Sequence, residues 1–140
     1  MKKLLLVLVT VLIIISCSKK VVKFEAFSSE AFAYDIGGGI SEVNASVRVK
    51  GFTQTEKNGK YDASISFNVD LVKPDKSIIK SIFDDVKKES SSEPINDLGL
   101  EAQFNLDSTF TNGSYKLIFN IMDDVSKNKT TSEANFDISK

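Results

Sequence analysis

The chain has no histidine and no tryptophan, and among its 140 residues there are only one cysteine, Cys17, and 2 prolines. Without an imidazole, Ser-His-Asp and Cys-His catalysis and His-bearing zinc sites are excluded. A lone thiol excludes an intramolecular disulfide. Basic charge is scarce as well: Lys and Arg total 18 against 19 Asp and Glu, and Arg48 is the single arginine. The electrostatic footprint of a nucleic-acid binder is therefore missing. What remains is 41% hydrophobic and 26% charged, the composition of one globular domain rather than of a disordered or collagenous chain. No metal and no cofactor are expected.

The N-terminus opens Met1-Lys2-Lys3 and then runs apolar from Leu4 to Ile15, broken only by Thr10. This is the charged and apolar order of a secretory signal. The run is too short for a spanning helix, which needs ~20 apolar residues, and Ser16-Cys17-Ser18-Lys19-Lys20 closes it with polar flanks. The junction Ile14-Ile15-Ser16-Cys17 resembles the lipobox of bacterial lipoproteins. That resemblance implies a helical signal peptide over 1–16, cleavage before Cys17, and acylation of the Cys17 thiol and the new amino group. It thus implies a membrane partner reached through the lipid anchor at Cys17. One acyl chain binds marginally, at ~0.8 kcal/mol per buried CH₂, whereas three anchor lastingly. Ser18 stands where an aspartate retains lipoproteins at the inner membrane, so the resemblance points to the outer membrane in a Gram-negative host. Residues 17–20 form the lipidated tether, and Lys23 lies just beyond it. Without 1–16 the formal charge is 16 − 19 = −3.

Beyond residue 20, period-two alternation dominates. Tyr61, Ala63, Ile65, Phe67, Val69 and Leu71 alternate with polar residues, the pattern of a half-buried antiparallel strand. Val43–Val49, Leu98–Leu106, Tyr115–Ile121 and Ala134–Ile138 repeat it. Thr53–Lys60, with Asn58-Gly59, reads as the hairpin turn between the Val43–Val49 and Tyr61–Leu71 runs. Lys73–Lys76 reads as a Pro-Asp turn. Ser77–Lys88 fits a helical face about as well as a strand, and is taken as a strand because a tight turn precedes it. Val21–Ile36 reads as two short strands, Val22-Phe24-Ala26 and Phe32-Tyr34-Ile36, with a short helix as the alternative. The polar stretch Lys87–Pro94 reads as the longest loop. About eight short strands and few helix candidates indicate an all-β chain, a single antiparallel β-sandwich over 21–140 that folds as a monomer.

At Asn112-Gly113-Ser114-Tyr115-Lys116-Leu117 the chain resembles the penultimate strand of immunoglobulin-like domains. The resemblance implies an immunoglobulin-like sandwich of about 7–8 strands, with Tyr115 as the corner residue whose hydroxyl bonds nearby backbone. Leu117 replaces the disulfide cysteine of antibody domains.

Other constellations carry less. Gly37-Gly38-Gly39 lacks the context of a phosphate loop and reads as a flexible connector. Asp84-Asp85 and Asp123-Asp124 read as solvated strand ends, since adjacent side chains on a strand point apart. Asp123, Asp124 and Asn128 offer hard oxygens but too few carboxylates for tight calcium binding, and Asp107–Gly113 misses the calcium-loop spacing. The acceptor patterns at Asn44, Asn112 and Asn128 read as turn or strand chemistry rather than glycosylation.

The expected function is a non-catalytic envelope lipoprotein whose sandwich binds a protein partner or serves an envelope assembly. A carbohydrate-binding module and a carboxylate-dependent glycan-acting enzyme are the alternatives. Scarcity of solvent-facing aromatics argues against glycan binding, because most Phe fall on core-phase positions. On Tyr115–Met122 the outward phase carries Ile118 and Met122, a candidate partner contact if neighbouring segments do not cover them.

Overall fold

A computed structural model describes residues 20–140. The expected signal peptide over 1–16, its expected cleavage site and Cys17 lie outside the described residues. The described chain is all-β, as its periodicity dictates: β1 (Glu25–Gly37), β2 (Ile40–Lys50), β3 (Thr55–Lys57), β4 (Lys60–Val72), β5 (Ile78–Ser91), β6 (Asp97–Leu106), β7 (Gly113–Asp123) and β8 (Lys129–Ile138).

These strands form two antiparallel sheets. One has the order β1-β2-β6. In the other, β4 is central, with β5 along one edge and β3 and then β7 along the opposite edge, and β8 pairs with β7. The exchange of β2 and β6 against β4 and β7 is the arrangement of an immunoglobulin-like sandwich. The alternating apolar residues meet between the sheets: Val43, Val47 and Val49 from β2, Leu100 from β6, Ile65, Val69 and Leu71 from β4, and Leu117 and Phe119 from β7 are all at most 1% exposed. Full burial of one such side chain contributes about 1.5–3 kcal/mol.

Three connections cross between the sheets, and each is pinned. In the β2–β3 crossing, Gly51 adopts φ +74°, and a Cβ there would meet the Lys23 carbonyl at 2.1 Å, so only glycine fits. The β5–β6 crossing is tied to it by Gln54, whose side-chain amide donates to the Ile95 carbonyl at 2.8 Å and accepts the Ile95 N–H at 2.7 Å. At the β6–β7 corner, the Tyr115 hydroxyl donates to the Thr111 carbonyl at 2.7 Å, as the immunoglobulin-like resemblance implies.

Several expectations are corrected. Asn58-Gly59 does turn the chain with two positive φ angles, but it joins β3 to β4. The Val43–Val49 and Tyr61–Leu71 runs are therefore not hairpin partners; they lie in opposite sheets. Lys87–Ser91 is not loop: β5 runs to Ser91, its polar residues being those of an exposed edge strand, and only 92–96 connects it to β6. Val21–Ile36 is not two strands but leads into the single strand β1, which contains a β-bulge. Gly37-Gly38-Gly39 closes the β1–β2 hairpin, all three in positive φ.

Candidate functional site

The bulge in β1 decides which side chains reach solvent. Phe27 pairs with Arg48, yet Glu30 pairs with Ser46, so β1 carries one residue more than β2 between these points. Ser28 sits in the left-handed region at φ 52° to make room for it. One extra residue reverses the alternation. Before the bulge, Phe24 and Ala26 face the core; after it, Ala31 and Ala33 do, and Phe32 and Tyr34 turn outward. Phe32, Tyr34 and Ile36 are 52%, 55% and 53% exposed. Alanines suit the inward side because β1 closes the sandwich against β8, where the Ser29 hydroxyl donates to the Glu133 carbonyl at 2.6 Å.

The strand register sets the face around them. One row reads Phe32, Asn44, Gln103, and the next Tyr34, Glu42, Asn105. Each row thus carries an aromatic on β1 and an amide on β6, ~10 Å apart across two strand spacings. The Asn44 amide donates to Glu42 at 2.9 Å, while Gln103, Asn105 and Glu101 are exposed. A groove of about 580 Å³ crosses this face from Phe32 over Asn44 and Ser46 to Asp85 on β5. Its charged lining is Glu30, Glu101 and Asp85, with no lysine or arginine. Lys50 lies outside the groove, 5.2 Å over the Phe27 ring and 2.9 Å from Glu25.

Phe32 and Tyr34 are the residues that sequence reasoning missed, since their even-numbered alternation continues that of Phe24 and Ala26. A local signal was present. Ala31 and Ala33 offered an equally regular apolar phase, and Ser28-Ser29 interrupts the first one.

The outer face of the larger sheet is different, because its polar groups bond to one another. Asn120 donates to Asn68 at 2.9 Å and to Asp70 at 3.1 Å. Asp70, only 3% exposed, also accepts Lys80 Nζ and the Ser81 N–H, each at 2.9 Å, and so holds a second bulge in which Ser81 has φ 48°. Burial pushes the Asp70 carboxyl up, but the Lys80, Ser81 and Asn120 hydrogen bonds outweigh it and hold it below the ordinary Asp value. Ile118 pairs with Asp70 and Glu133, and Met122 with Ser66 and Lys129. Both are half-buried, and Met122 lines a second groove of about 470 Å³ beside Val86. β1 belongs to the opposite sheet, so the Val21–Ile36 segment does not cover them.

The reading of Asp123-Asp124 as a solvated strand end is corrected. Asp123 is 1% exposed and accepts from Thr53 N, Val125 N, Ser126 N and the Ser126 hydroxyl. Burial pushes its carboxyl up, and these bonds, Thr53 first, more than compensate, leaving it below the ordinary value. Asp124 points to the other face and accepts the Ser64 and Ser66 hydroxyls. These carboxylates are taken up by protein donors in shaping a turn. Among the described residues, no three of His, Cys, Asp and Glu are grouped as metal ligands.

No family model matches the chain, and no curated protein matches it in sequence. Among solved structures, it is similar to part of a family 123 glycoside hydrolase from Clostridium perfringens, described for glycolipid glycan hydrolysis, with 12% identity and a TM-score of 0.43. The match covers 79% of this chain and 22% of that one. A protein from Archaeoglobus fulgidus is similar at 9% identity and a TM-score of 0.36, over 82% of this chain and 98% of that one. Neither likeness assigns an activity to this chain.

Proposed function

We propose that the chain is a non-catalytic module of a bacterial cell envelope, tethered by a lipidated Cys17, that holds a ligand on the outer face of β1-β2-β6. The observation that carries the binding half is the outward ladder Phe32-Tyr34-Ile36 beside the inward Ala31 and Ala33. Leaving three large apolar side chains half exposed forgoes on the order of 1 kcal/mol of burial for each, a cost that a binding surface recovers when it is covered. The anchor half rests on Ile14-Ile15-Ser16-Cys17. The two halves are compatible in geometry. β1 leads away from the tethered end, and Tyr34 lies nine residues beyond Glu25, about 30 Å along the strand.

Photo-crosslinking in intact cells tests the binding half. A benzophenone side chain at position 32 is expected to give an adduct with an envelope component, and the same group at Lys57, on the other sheet, none. No adduct at 32, or equal adducts at both positions, overturns the reading. Intact mass of the membrane-extracted chain tests the anchor: it is expected to begin at an acylated Cys17. Retained Met1 with an unmodified thiol overturns it.

A further inference from the structure

Building on that reading, we propose that the groove across β1-β2-β6 binds a glycan chain without negative charge. Three features of the face support this ligand class. First, the aromatics form a column on β1 at one edge, while β2 in the middle presents Asn44 and Ser46, and β6 at the other edge presents Glu101 and Gln103. A protein-binding patch has the reverse anatomy, an apolar centre within a polar rim. A sugar ring has an apolar C–H face, which an aromatic ring accepts, and an edge of hydroxyls, which amides and carboxylates accept and donate to. Phe32 with Asn44 and Gln103 supply that combination in the groove, and Tyr34 with Glu42 and Asn105 repeat it in the next row, ~7 Å away beside the groove, where a longer chain would continue.

Second, the polar groups here are available. On the larger sheet Asn68, Asn120, Asp70 and Asp124 are bonded to one another or to neighbouring donors. Here Gln103, Asn105 and Glu101 stand exposed, and the one side-chain bond between Asn44 and Glu42 orients both groups across the face. Third, charge narrows the ligand. Glu30, Glu101 and Asp85 line the groove without a lysine or arginine, so phosphate, sulfate and uronate groups are repelled. A groove of about 580 Å³ lies in the size range of small-ligand sites.

The test uses the full chain in mild detergent, titrated by calorimetry and by NMR with neutral hexasaccharides of glucose, mannose, xylose and N-acetylglucosamine, and with polygalacturonate and heparin as anionic probes. At least one neutral hexasaccharide is expected to bind, with shifts centred on Phe32, Tyr34, Asn44 and Gln103. Phe32→Ala and Tyr34→Ala should each weaken binding about tenfold, Tyr34→Phe should retain most of it, and Lys57→Ala, on the other sheet, should leave it unchanged. Thermal unfolding of each variant checks that folding is intact. Failure of all four neutral probes, unchanged binding in the Phe32→Ala/Tyr34→Ala double variant, or heparin bound as tightly as the best neutral sugar overturns the inference. So does dimerisation that Phe32→Ala abolishes, which would make a second copy the occupant. A protein adduct at position 32 without glycan binding sinks this inference and leaves the binding-module reading standing; absence of both sinks both.

Discussion

The Asp123 carboxylate accepts the backbone N–H of Thr53 at 2.7 Å, joining the end of β7 to the segment that carries the chain from one sheet to the other, 70 positions earlier. The same carboxylate closes the β7–β8 turn through Val125 and Ser126. A single buried anion therefore serves two connections that no strand ladder reaches. Asp123→Asn keeps the shape but presents an NH₂ to some of these donors. It is expected to lower stability by about 1–3 kcal/mol in urea unfolding, with the sheets retained by circular dichroism.

The pH dependence follows from Asp123 and Asp70 together. Both carboxyls lie below their ordinary value in the fold, so each binds protons less readily there than in the unfolded chain. Their contribution to stability is complete above the unfolded Asp value, about 3.9, and is lost as pH falls through the lower folded values. The urea midpoint should be level in this respect down to about pH 5 and fall below about pH 4. Asp123→Asn should flatten that fall. An equally steep decline in the variant would assign the acid sensitivity elsewhere.

Tyr115 is buried and stacked on Phe136 with ring centroids 5.5 Å apart, so packing and hydrogen bonding both act on it. Tyr115→Phe keeps the ring and orphans the Thr111 carbonyl bond. The expected loss is about 0.5–1.5 kcal/mol, measured by denaturant unfolding.

Ser28 tests the bulge. Its φ of 52° is strained for an L side chain, most of all for a β-branched one. Ser28→Gly should be neutral to within about 0.5 kcal/mol, relief of strain being offset by chain entropy. Ser28→Val should cost more than about 1 kcal/mol. Deleting Ser29 should cost more again, since it forces Phe32 and Tyr34 toward space now filled by alanines, and overpacking costs ~1–3 kcal/mol.

Ile118 and Met122 are half-buried on an uncovered sheet face. Replacing both by Lys should therefore cost no more than about 2 kcal/mol, with Lys at 118 falling beside Asp70 and Glu133. A loss of several kcal/mol would place both in the core and end their candidacy as a partner contact.

The sequence alone was enough for the sandwich itself. Tyr61–Leu71 and Leu98–Leu106 alternate without interruption, and a period of two has one structural solution when one face is buried. The Tyr115 corner and the Pro74-Asp75 turn were legible for a similar reason, since their chemistry lies within a few residues. The sheet partners were not. β2 and β4, separated in sequence only by the short β3, do not pair but face each other from opposite sheets, because the segment over 51–54 crosses between sheets, held by Gly51 against Lys23 and by Thr53 on Asp123. The burial of Asp123 was hidden likewise, as its principal donor lies far away in the chain. The candidate site depended most on tertiary structure. In β1 two apolar phases competed, Phe32-Tyr34-Ile36 against Ala31-Ala33, and residue size favoured turning the aromatics inward. β1 lies against β8 with the alanines on its inward side, and a one-residue bulge at Ser28-Ser29 turned the larger side chains to solvent.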